Sequence, residues 1–257
     1  MHRPLPPIVE YELPIRDPGP YDTSVGSDGS VWSTLQRANA IARLTDAGQV
    51  STHPIPTRDA GPMAITPGPN GTQWFTEYRT GRIGWVTPGG EIGEHALPDP
   101  NAAPYGITHG PDGAMWLTLM NANAIGRLSP TDGRLESFPV PNEISGPVGI
   151  TAGPDAAMWF VAIASGTIGR LCPDDGSVRH WALPDTQARP RAIASGRHND
   201  LWYTEWGAHR IGRITTDGDI ATFPIPTANA VPHGIAVGPD GSVWFAAEVG
   251  SIGRMTP

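Results

Sequence analysis

Short apolar stretches alternate with turns rich in glycine and proline along the whole chain. Near the C-terminus, an alternating run at residues 232–237 is followed by a Gly-Pro-Asp-Gly turn and a second apolar run at residues 243–248. Alternating runs bounded by Gly, Pro, Asn and Asp are typical of half-buried β-strands joined in hairpins. Residues 251–255 predict a third strand, and other parts of the chain add a fourth, as at residues 220–225. The pattern therefore predicts four-stranded antiparallel meanders.

This pattern recurs every 42 or 43 residues, with three markers in the same phase. The phased tryptophans are Trp32, Trp74, Trp116, Trp159, Trp202 and Trp244. The phased prolines are Pro20, Pro62, Pro104, Pro147, Pro190 and Pro232, and Ile-Gly-Arg or a similar tripeptide begins at Ile41, Ile83, Ile125, Ile168, Ile211 and Ile252. A period near 40 residues with several short strands is typical of β-propeller blades. We predict an all-β, six-bladed β-propeller that occupies residues 1–257 as a single domain.

The last repeat has no sequence for a fourth strand, whereas the N-terminus has a spare one. Residues 8–14 match the pattern of the fourth strand at residues 223–226. We expect the N-terminal strand to pair into the last blade and close the ring, because closure removes exposed sheet edges.

Charge and composition exclude several classes of function. The formal net charge of −8 disfavours nucleic acid and anionic membranes, since phosphate binding needs a basic surface. No apolar run is long enough to span a membrane, and residues 1–7 lack the apolar segment of a signal peptide. We expect a cytoplasmic protein, a monomer, whose partner is a small molecule or a cyclic peptide.

Residues that differ between repeats are the candidates for function. In a meander, the start of the first strand lies beside the end of the second, so two variable positions should rim one mouth of the channel. The residue after the phased proline is Tyr21, Met63, Tyr105, Val148, Arg191 or His233, and the residue four places after the phased tryptophan is Gln36, Tyr78, Met120, Ile163, Trp206 or Glu248. Blades two to four thus supply an apolar crescent, and the other three supply ionisable groups. Apolar walls with a few polar groups are typical of a small-molecule pocket.

His233 and Glu248 bracket the turn at residues 238–241 almost symmetrically. They should therefore face each other across one hairpin. A histidine beside a carboxylate can perform general acid–base chemistry or hold a metal ligand in place. The alternative is that both are solvated side chains on a loop face with no role in catalysis.

Several short sequence motifs resemble those of the streptogramin B lyases, also called virginiamycin B lyases. They cover nearly the whole chain, and the histidine and late glutamate of the last blade are the most specific. The phrases include Ala103-Pro-Tyr-Gly-Ile-Thr108, Gly146-Pro-Val-Gly-Ile-Thr151, Trp74-Phe-Thr-Glu77, Leu201-Trp-Tyr-Thr-Glu-Trp-Gly207, Pro232-His-Gly-Ile235 and Trp244-Phe-Ala-Ala-Glu248.

The resemblance implies a lyase that opens type B streptogramins, which are cyclic depsipeptide antibiotics closed by a threonine ester, and so confers antibiotic resistance. A base removes the proton α to the threonine carbonyl, the ester carboxylate leaves, and Mg²⁺ polarises the ester. His233, Glu248 and Arg191 would be the catalytic residues, and Glu248 and Glu205 the metal ligands. Tyr21, Tyr78, Tyr105, Trp206 and Met63 would bind the substrate.

Two positions depart from the family pattern. Arg191 stands where the family has a histidine, and Val231 stands where it has a glutamate. Arginine does not act as a base near neutral pH, although it stabilises an oxyanion, and valine does not bind metal. The alternative is therefore a non-catalytic propeller that binds a peptide, a depsipeptide or a cell-wall fragment. A third reading, a six-bladed metal-dependent lactonase, would have to draw its oxygen ligands from Gln36, Glu77, Glu205 and Glu248.

Overall fold

The computed structural model describes residues 11–256, and within them it confirms the six-bladed all-β propeller. Six antiparallel sheets follow one another along the chain, each a meander in sequence order. Five sheets have four strands, and the sixth has three in the described part of the chain. No helix among these residues is long and apolar enough to cross a membrane.

The strand bounds repeat from blade to blade. The first two blades are β1 (Pro20–Val25), β2 (Val31–Leu35), β3 (Ala40–Leu44) and β4 (Val50–Pro54), then β5 (Pro62–Pro67), β6 (Gln73–Glu77), β7 (Arg82–Val86) and β8 (Ile92–Ala96), with a 3₁₀ turn at Pro69–Gly71. The next two are β9 (Pro104–His109), β10 (Met115–Leu119), β11 (Ala124–Leu128) and β12 (Leu135–Pro139), then β13 (Pro147–Ala152), β14 (Met158–Ala162), β15 (Thr167–Leu171) and β16 (Val178–Ala182). The last two are β17 (Pro190–Ser195), β18 (Asp200–Glu205), β19 (Arg210–Thr215) and β20 (Ile220–Pro224), then β21 (Pro232–Val237), β22 (Val243–Ala247) and β23 (Ser251–Met255).

In five of the six blades the motif arginine pairs with an aspartate near the start of the second strand, and the second blade has Trp85 in its place. Trp116 and Trp159 are fully buried, and each indole N–H donates to the aspartate of the preceding turn, at 3.0 Å to Asp112 and 2.9 Å to Asp155. The arginine of the Ile-Gly-Arg motif pairs with that same aspartate, as Arg127 does with Asp112 at 2.6 Å. These repeated residues are therefore structural, which leaves the variable positions free for function.

Each innermost strand contains a β-bulge directly after its phased proline. In the fifth blade the register shifts between Pro190 and Ile193, so two residues of β17 face one residue of β18. The same shift occurs in all six blades. Bulges re-aim side chains and leave a backbone group without its ladder partner. In five of the six blades the residue after the proline lines the channel, and the exception is Met63.

A buried threonine of the second strand satisfies the bulge and joins neighbouring blades. The Thr204 hydroxyl accepts a hydrogen bond from the Ala192 N–H at 3.1 Å and donates to the His233 carbonyl of the next blade at 2.9 Å. Thr34, Thr76 and Thr118 make the same bridge to Met63, Tyr105 and Val148. The threonines thus fix the backbone from which the channel side chains project.

The sixth blade lacks this support on one side within the described residues. Ile252 is 72% exposed, whereas Ile168 at the same repeat position is 0% exposed, and Trp244 is 41% exposed where the other phased tryptophans are at most 3%. A Cβ added at Gly234 would meet nothing within 4 Å, whereas at Gly149 it would meet the backbone of the next blade at 2.7 Å. The face of β21–β23 that other blades turn toward the next blade is therefore not covered by any of residues 11–256.

The predicted closing strand spans residues 8–14, of which residues 8–10 lie outside the described part of the chain. Its described remainder, residues 11–14, is not in a strand. Leu13 packs against Leu35, Ala40 and Ala42 of the first blade. The pairing of this segment with the last blade stays a prediction.

Replacing Ile168 and Ile252 with alanine tests whether the last blade is open. We expect Ile168→Ala to lower the free energy of unfolding by about 2–5 kcal/mol, because a buried isoleucine leaves a cavity. Ile252→Ala should cost less than about 0.5 kcal/mol, as an exposed substitution does. Chemical denaturation measures both values, and similar large losses would show that this face is covered in solution.

A buried carboxyl group lies inside the second blade. Glu77 is fully buried at the end of β6, and only the Thr80 hydroxyl donates to it among the described residues, at 3.2 Å to Oε2. Burial, reinforced by the nearby Glu94 carboxylate, raises the pKa of Glu77 from 4.5 to about 8. Glu77 is thus protonated at neutral pH.

We expect Glu77→Gln to stabilise the protein at pH 7, because glutamine copies the protonated acid without its cost of proton uptake. The unfolded glutamate loses its proton above about pH 4.5, whereas folded Glu77 retains its proton up to about pH 8. Stability of the natural protein should therefore fall as pH rises between these values, and the gain in the variant should grow to about 3 kcal/mol at pH 7. Thermal melts at pH 5 and pH 7 measure it; an equal effect at both pH values would contradict the raised pKa.

Candidate functional site

A cavity of about 460 Å³ occupies the channel between the innermost strands. It contains five of the predicted site residues: Tyr21, Tyr105, Arg191, His233 and Glu248. Small residues such as Gly106, Gly149 and Gly234 form much of the remaining wall. Four of these residues lie in the bulge after a phased proline, and Glu248 comes directly after the end of the neighbouring strand β22.

His233 and Glu248 form a hydrogen-bonded pair in this cavity. Their Nε2 and Oε1 atoms are 2.7 Å apart. His233 lies in the bulge that follows Pro232, and Pro232 is opposite Ala247 in the register, so Glu248 comes directly beside it. Since an ionised carboxylate only accepts hydrogen bonds, the His233 proton is on Nε2 and the lone pair is on Nδ1. The pair thus offers a positioned base.

Arg191 is held against two tyrosines of the same cavity. Its guanidinium donates a hydrogen bond to the Tyr21 hydroxyl, which lies 2.7 Å from the Tyr105 hydroxyl. The guanidinium carbon also lies 5.8 Å from the centre of the Tyr21 ring and 5.9 Å from that of Tyr105. Burial raises the pKa of Tyr105, so its phenol remains neutral. A fixed positive charge and hydroxyl donors therefore line the cavity with the His233–Glu248 pair.

Three other predicted substrate contacts lie outside this cavity's lining. Tyr78 packs edge-on against Tyr105, with ring centres 5.9 Å apart, so it supports the wall from behind. Met63 is buried, and its sulfur lies 2.8 Å from the Gln36 amide nitrogen. Trp206 lines a second cavity, of about 340 Å³. Their roles in substrate binding stay predictions.

Glu205 does not share the cavity with Glu248. Its side chain is fully buried, and Oε2 accepts a hydrogen bond from Arg210 at 2.6 Å. Arg210 also bonds Asp185 at 3.0 Å. Burial raises the pKa of Glu205, although the Arg210 cation opposes that shift. The position three residues after the phased tryptophan is the last of the strand and points into the blade, whereas the next residue reaches the channel.

The described residues do not fit the Mg²⁺ site that the resemblance implies. Nowhere among residues 11–256 do three His, Cys, Asp or Glu side chains converge on one point. Asp22 lines the cavity, but its two carboxylate oxygens accept the N–H groups of Thr23 and Ile65. Magnesium demands near-octahedral oxygen ligation, and Glu248 is the remaining carboxylate in the described lining.

Sequence reasoning missed the second cavity, which lies between the fifth and sixth blades. Its lining consists of Gln187, Arg189, Trp206, Gly207, His209 and Val231. Of these, only Trp206 was predicted as a site residue. The available signal was the residue before each phased proline, where Arg189 and Val231 replace the glycine or alanine of the other repeats.

Comparison with known proteins agrees with this architecture. The structure of virginiamycin B lyase from Staphylococcus aureus is similar, with a TM-score of 0.93 and 43% identity over 97% of this chain and 84% of that one. A catalytically inactive histidine-to-alanine variant of that enzyme with quinupristin matches at a TM-score of 0.93 and 42% identity, with the same coverage. Virginiamycin B lyase of Saccharopolyspora erythraea is 47% identical over 46 residues, which is 18% of this chain and 15% of that relative.

A sequence profile described as the virginiamycin B lyase family matches residues 8–255, nearly the full length of the chain. Together with the likeness to the Staphylococcus enzyme over 97% of the chain, this match shows that the chain belongs to the virginiamycin B lyase family.

Proposed function

We propose that this protein is a lyase that opens type B streptogramin rings by elimination at the threonine ester. Support comes from the family membership and from one arrangement in the channel: a histidine base oriented by Glu248, with the Arg191 guanidinium in the same cavity. The cavity combines apolar walls with few polar groups, as small-molecule sites do.

The His233 imidazole is the proposed base. Glu248 accepts a hydrogen bond from the Nε2–H group of His233. The lone pair on Nδ1 therefore takes the proton from the threonine α-carbon. The electron pair of that C–H bond becomes the new Cα–Cβ double bond. The Cβ–O bond breaks, and its electrons leave with the ester carboxylate. Glu248 stabilises the imidazolium that forms, as an adjacent carboxylate does in other histidine bases.

Arg191 is the proposed stabiliser of negative charge. Removal of the α-proton places charge on the threonine carbonyl oxygen, and cleavage places charge on the leaving carboxylate. A guanidinium held by Tyr21 and stacked over two rings is pre-positioned, so it stabilises such charge without reorganising. The departure from the family histidine at this position thus removes a base and supplies a cation.

Binding without catalysis is the second candidate. Val231 is the observation that favours it, because a glutamate of the family pattern is missing here. The test of ring opening separates the two, since a binding propeller returns the antibiotic unchanged.

Incubation with a type B streptogramin should give a linear product of unchanged mass with a dehydrated threonine, whereas hydrolysis adds a water. We expect His233→Ala to slow this reaction by roughly 10²–10⁴-fold, the usual contribution of a general base. Mass spectrometry follows both. His180→Ala, on the exposed outer strand β16, is the matched control and should retain the natural rate.

No ring opening by the natural protein, with or without added Mg²⁺, would overturn the proposed activity. Parallel reactions with Mg²⁺ and with a chelator test the magnesium that the resemblance implies. The double variant Arg191→His, Val231→Glu restores the family pattern, and we expect it to raise the rate if those two residues limit catalysis.

Thr204 is expected to position His233. Thr204→Val removes the hydroxyl that holds the His233 carbonyl, at a cost of about 1–3 kcal/mol in stability for the unsatisfied groups. Thr118→Val breaks the equivalent bridge to Val148 and is the matched control. We expect similar losses of stability but a larger fall in kcat for Thr204→Val. Equal falls in kcat would show that the bridge acts on stability alone.

A further inference from the structure

Three residues that line the second cavity, Arg189, Trp206 and His209, have side-chain hydrogen-bond donors. Arg189 lies over the Trp206 ring, with its guanidinium carbon 5.6 Å from the ring centre. The Trp206 Nε1–H is shielded from solvent and has no acceptor among the described residues. His209 Nδ1 accepts the Val231 N–H at 3.1 Å, so its remaining proton is on Nε2. Of the described lining residues, none is acidic.

These side chains are where the fifth and sixth repeats depart from the others. The residue before the phased proline has positive φ in every repeat, and in the first four it is Gly19, Gly61, Ala103 and Gly146. Arg189 has a φ of 50° and Val231 a φ of 47°. Side chains of this kind in the left-handed region are uncommon, and such strain concentrates at functional sites. Glycine would adopt this backbone conformation without strain, so the repeat itself does not require Arg189 or Val231.

His209 has one hydrogen-bonding group more than its structural link to the next blade uses. At its repeat position, Asn39 and Asn123 tie the blade to the next one through their amide groups. His209 makes the corresponding tie to Val231 through Nδ1 and still has a donor on Nε2. The position thus combines a structural link with a free N–H.

We propose that this cavity is a carboxylate-binding site for a peptide-like ligand. A guanidinium beside an imidazole N–H matches a carboxylate, because both groups donate hydrogen bonds and one of them is charged. The cavity adjoins the catalytic pair through Val231, whose carbonyl accepts the Glu248 N–H at 3.2 Å. If the proposed lyase function holds, the ligand is the linear product, through the carboxylate that ring opening releases.

Direct binding tests this site without any turnover. We choose N-acetylphenylalanine as the carboxylate probe and its amide as the neutral control, both by isothermal titration calorimetry at pH 7.5. The carboxylate should bind at least tenfold more tightly than the amide. Arg189→Gly should abolish that preference, and it should fold well because glycine is the residue that other repeats hold at this positive φ. Trp206→Ala removes the ring against which the Arg189 guanidinium packs and should weaken binding.

Arg191→Gln distinguishes this cavity from the channel, where Arg191 is the cation. We expect carboxylate binding to survive in Arg191→Gln and to be lost in Arg189→Gly. The reverse result, equal binding of carboxylate and amide, or no binding to the natural protein would each overturn the proposal. Because the probes are not substrates, failure of ring opening leaves this test intact, and failure of this test leaves ring opening intact.

Discussion

The threonine hydroxyl between neighbouring blades is the interaction on which the channel depends. In four of the six blades it accepts the N–H of the bulge in its own sheet, and it donates to a carbonyl of the next blade, as Thr76 does with Ala64 and Tyr105. Val161 and Ala246 occupy this position in the other two blades. A buried N–H or C=O without a partner costs free energy, so bulge, hydroxyl and carbonyl stabilise one another. The residues bonded in this way include Tyr105, Val148 and His233, whose side chains line the channel. At these positions one bond therefore joins neighbouring blades and fixes a channel residue.

The scaffold separates what must repeat from what can vary. The indole of Trp159 and the guanidinium of Arg170 share the Asp155 carboxylate, with distances of 2.9 Å and 2.6 Å. That unit lies toward the end of the sheet away from the bulge, and its members recur in nearly every blade. The residue after the phased proline contributes its backbone to the fold, so its side chain is free to change. A base at His233 and a cation at Arg191 could thus arise without disturbing the blades.

The fold was predictable because the prolines, tryptophans and tripeptides recur with one strict period. That period gives the place of every strand. The His233–Glu248 contact was also predictable, since both flank one hairpin. The placement of Glu205 was not, because one residue at a strand end separates a channel position from a buried one. Arg210 beside it could be identified as its partner only in three dimensions. The cavity at Arg189 was missed because backbone conformation, rather than polarity, makes that position informative.

His233 and Arg191 are held in the channel by different contacts. His233 lies on β21, and its backbone carbonyl accepts a hydrogen bond from the Thr204 hydroxyl of the fifth blade. In the sixth blade itself, Ala246 stands at the position of this threonine and has no hydroxyl group. The orientation of the base thus rests on the bond to Thr204 and the hydrogen bond to Glu248. Arg191, by contrast, is braced by Tyr21 and Tyr105 from other blades. The base is thus held through its backbone and its carboxylate partner, whereas the cation is held through its side chain by residues of two other blades.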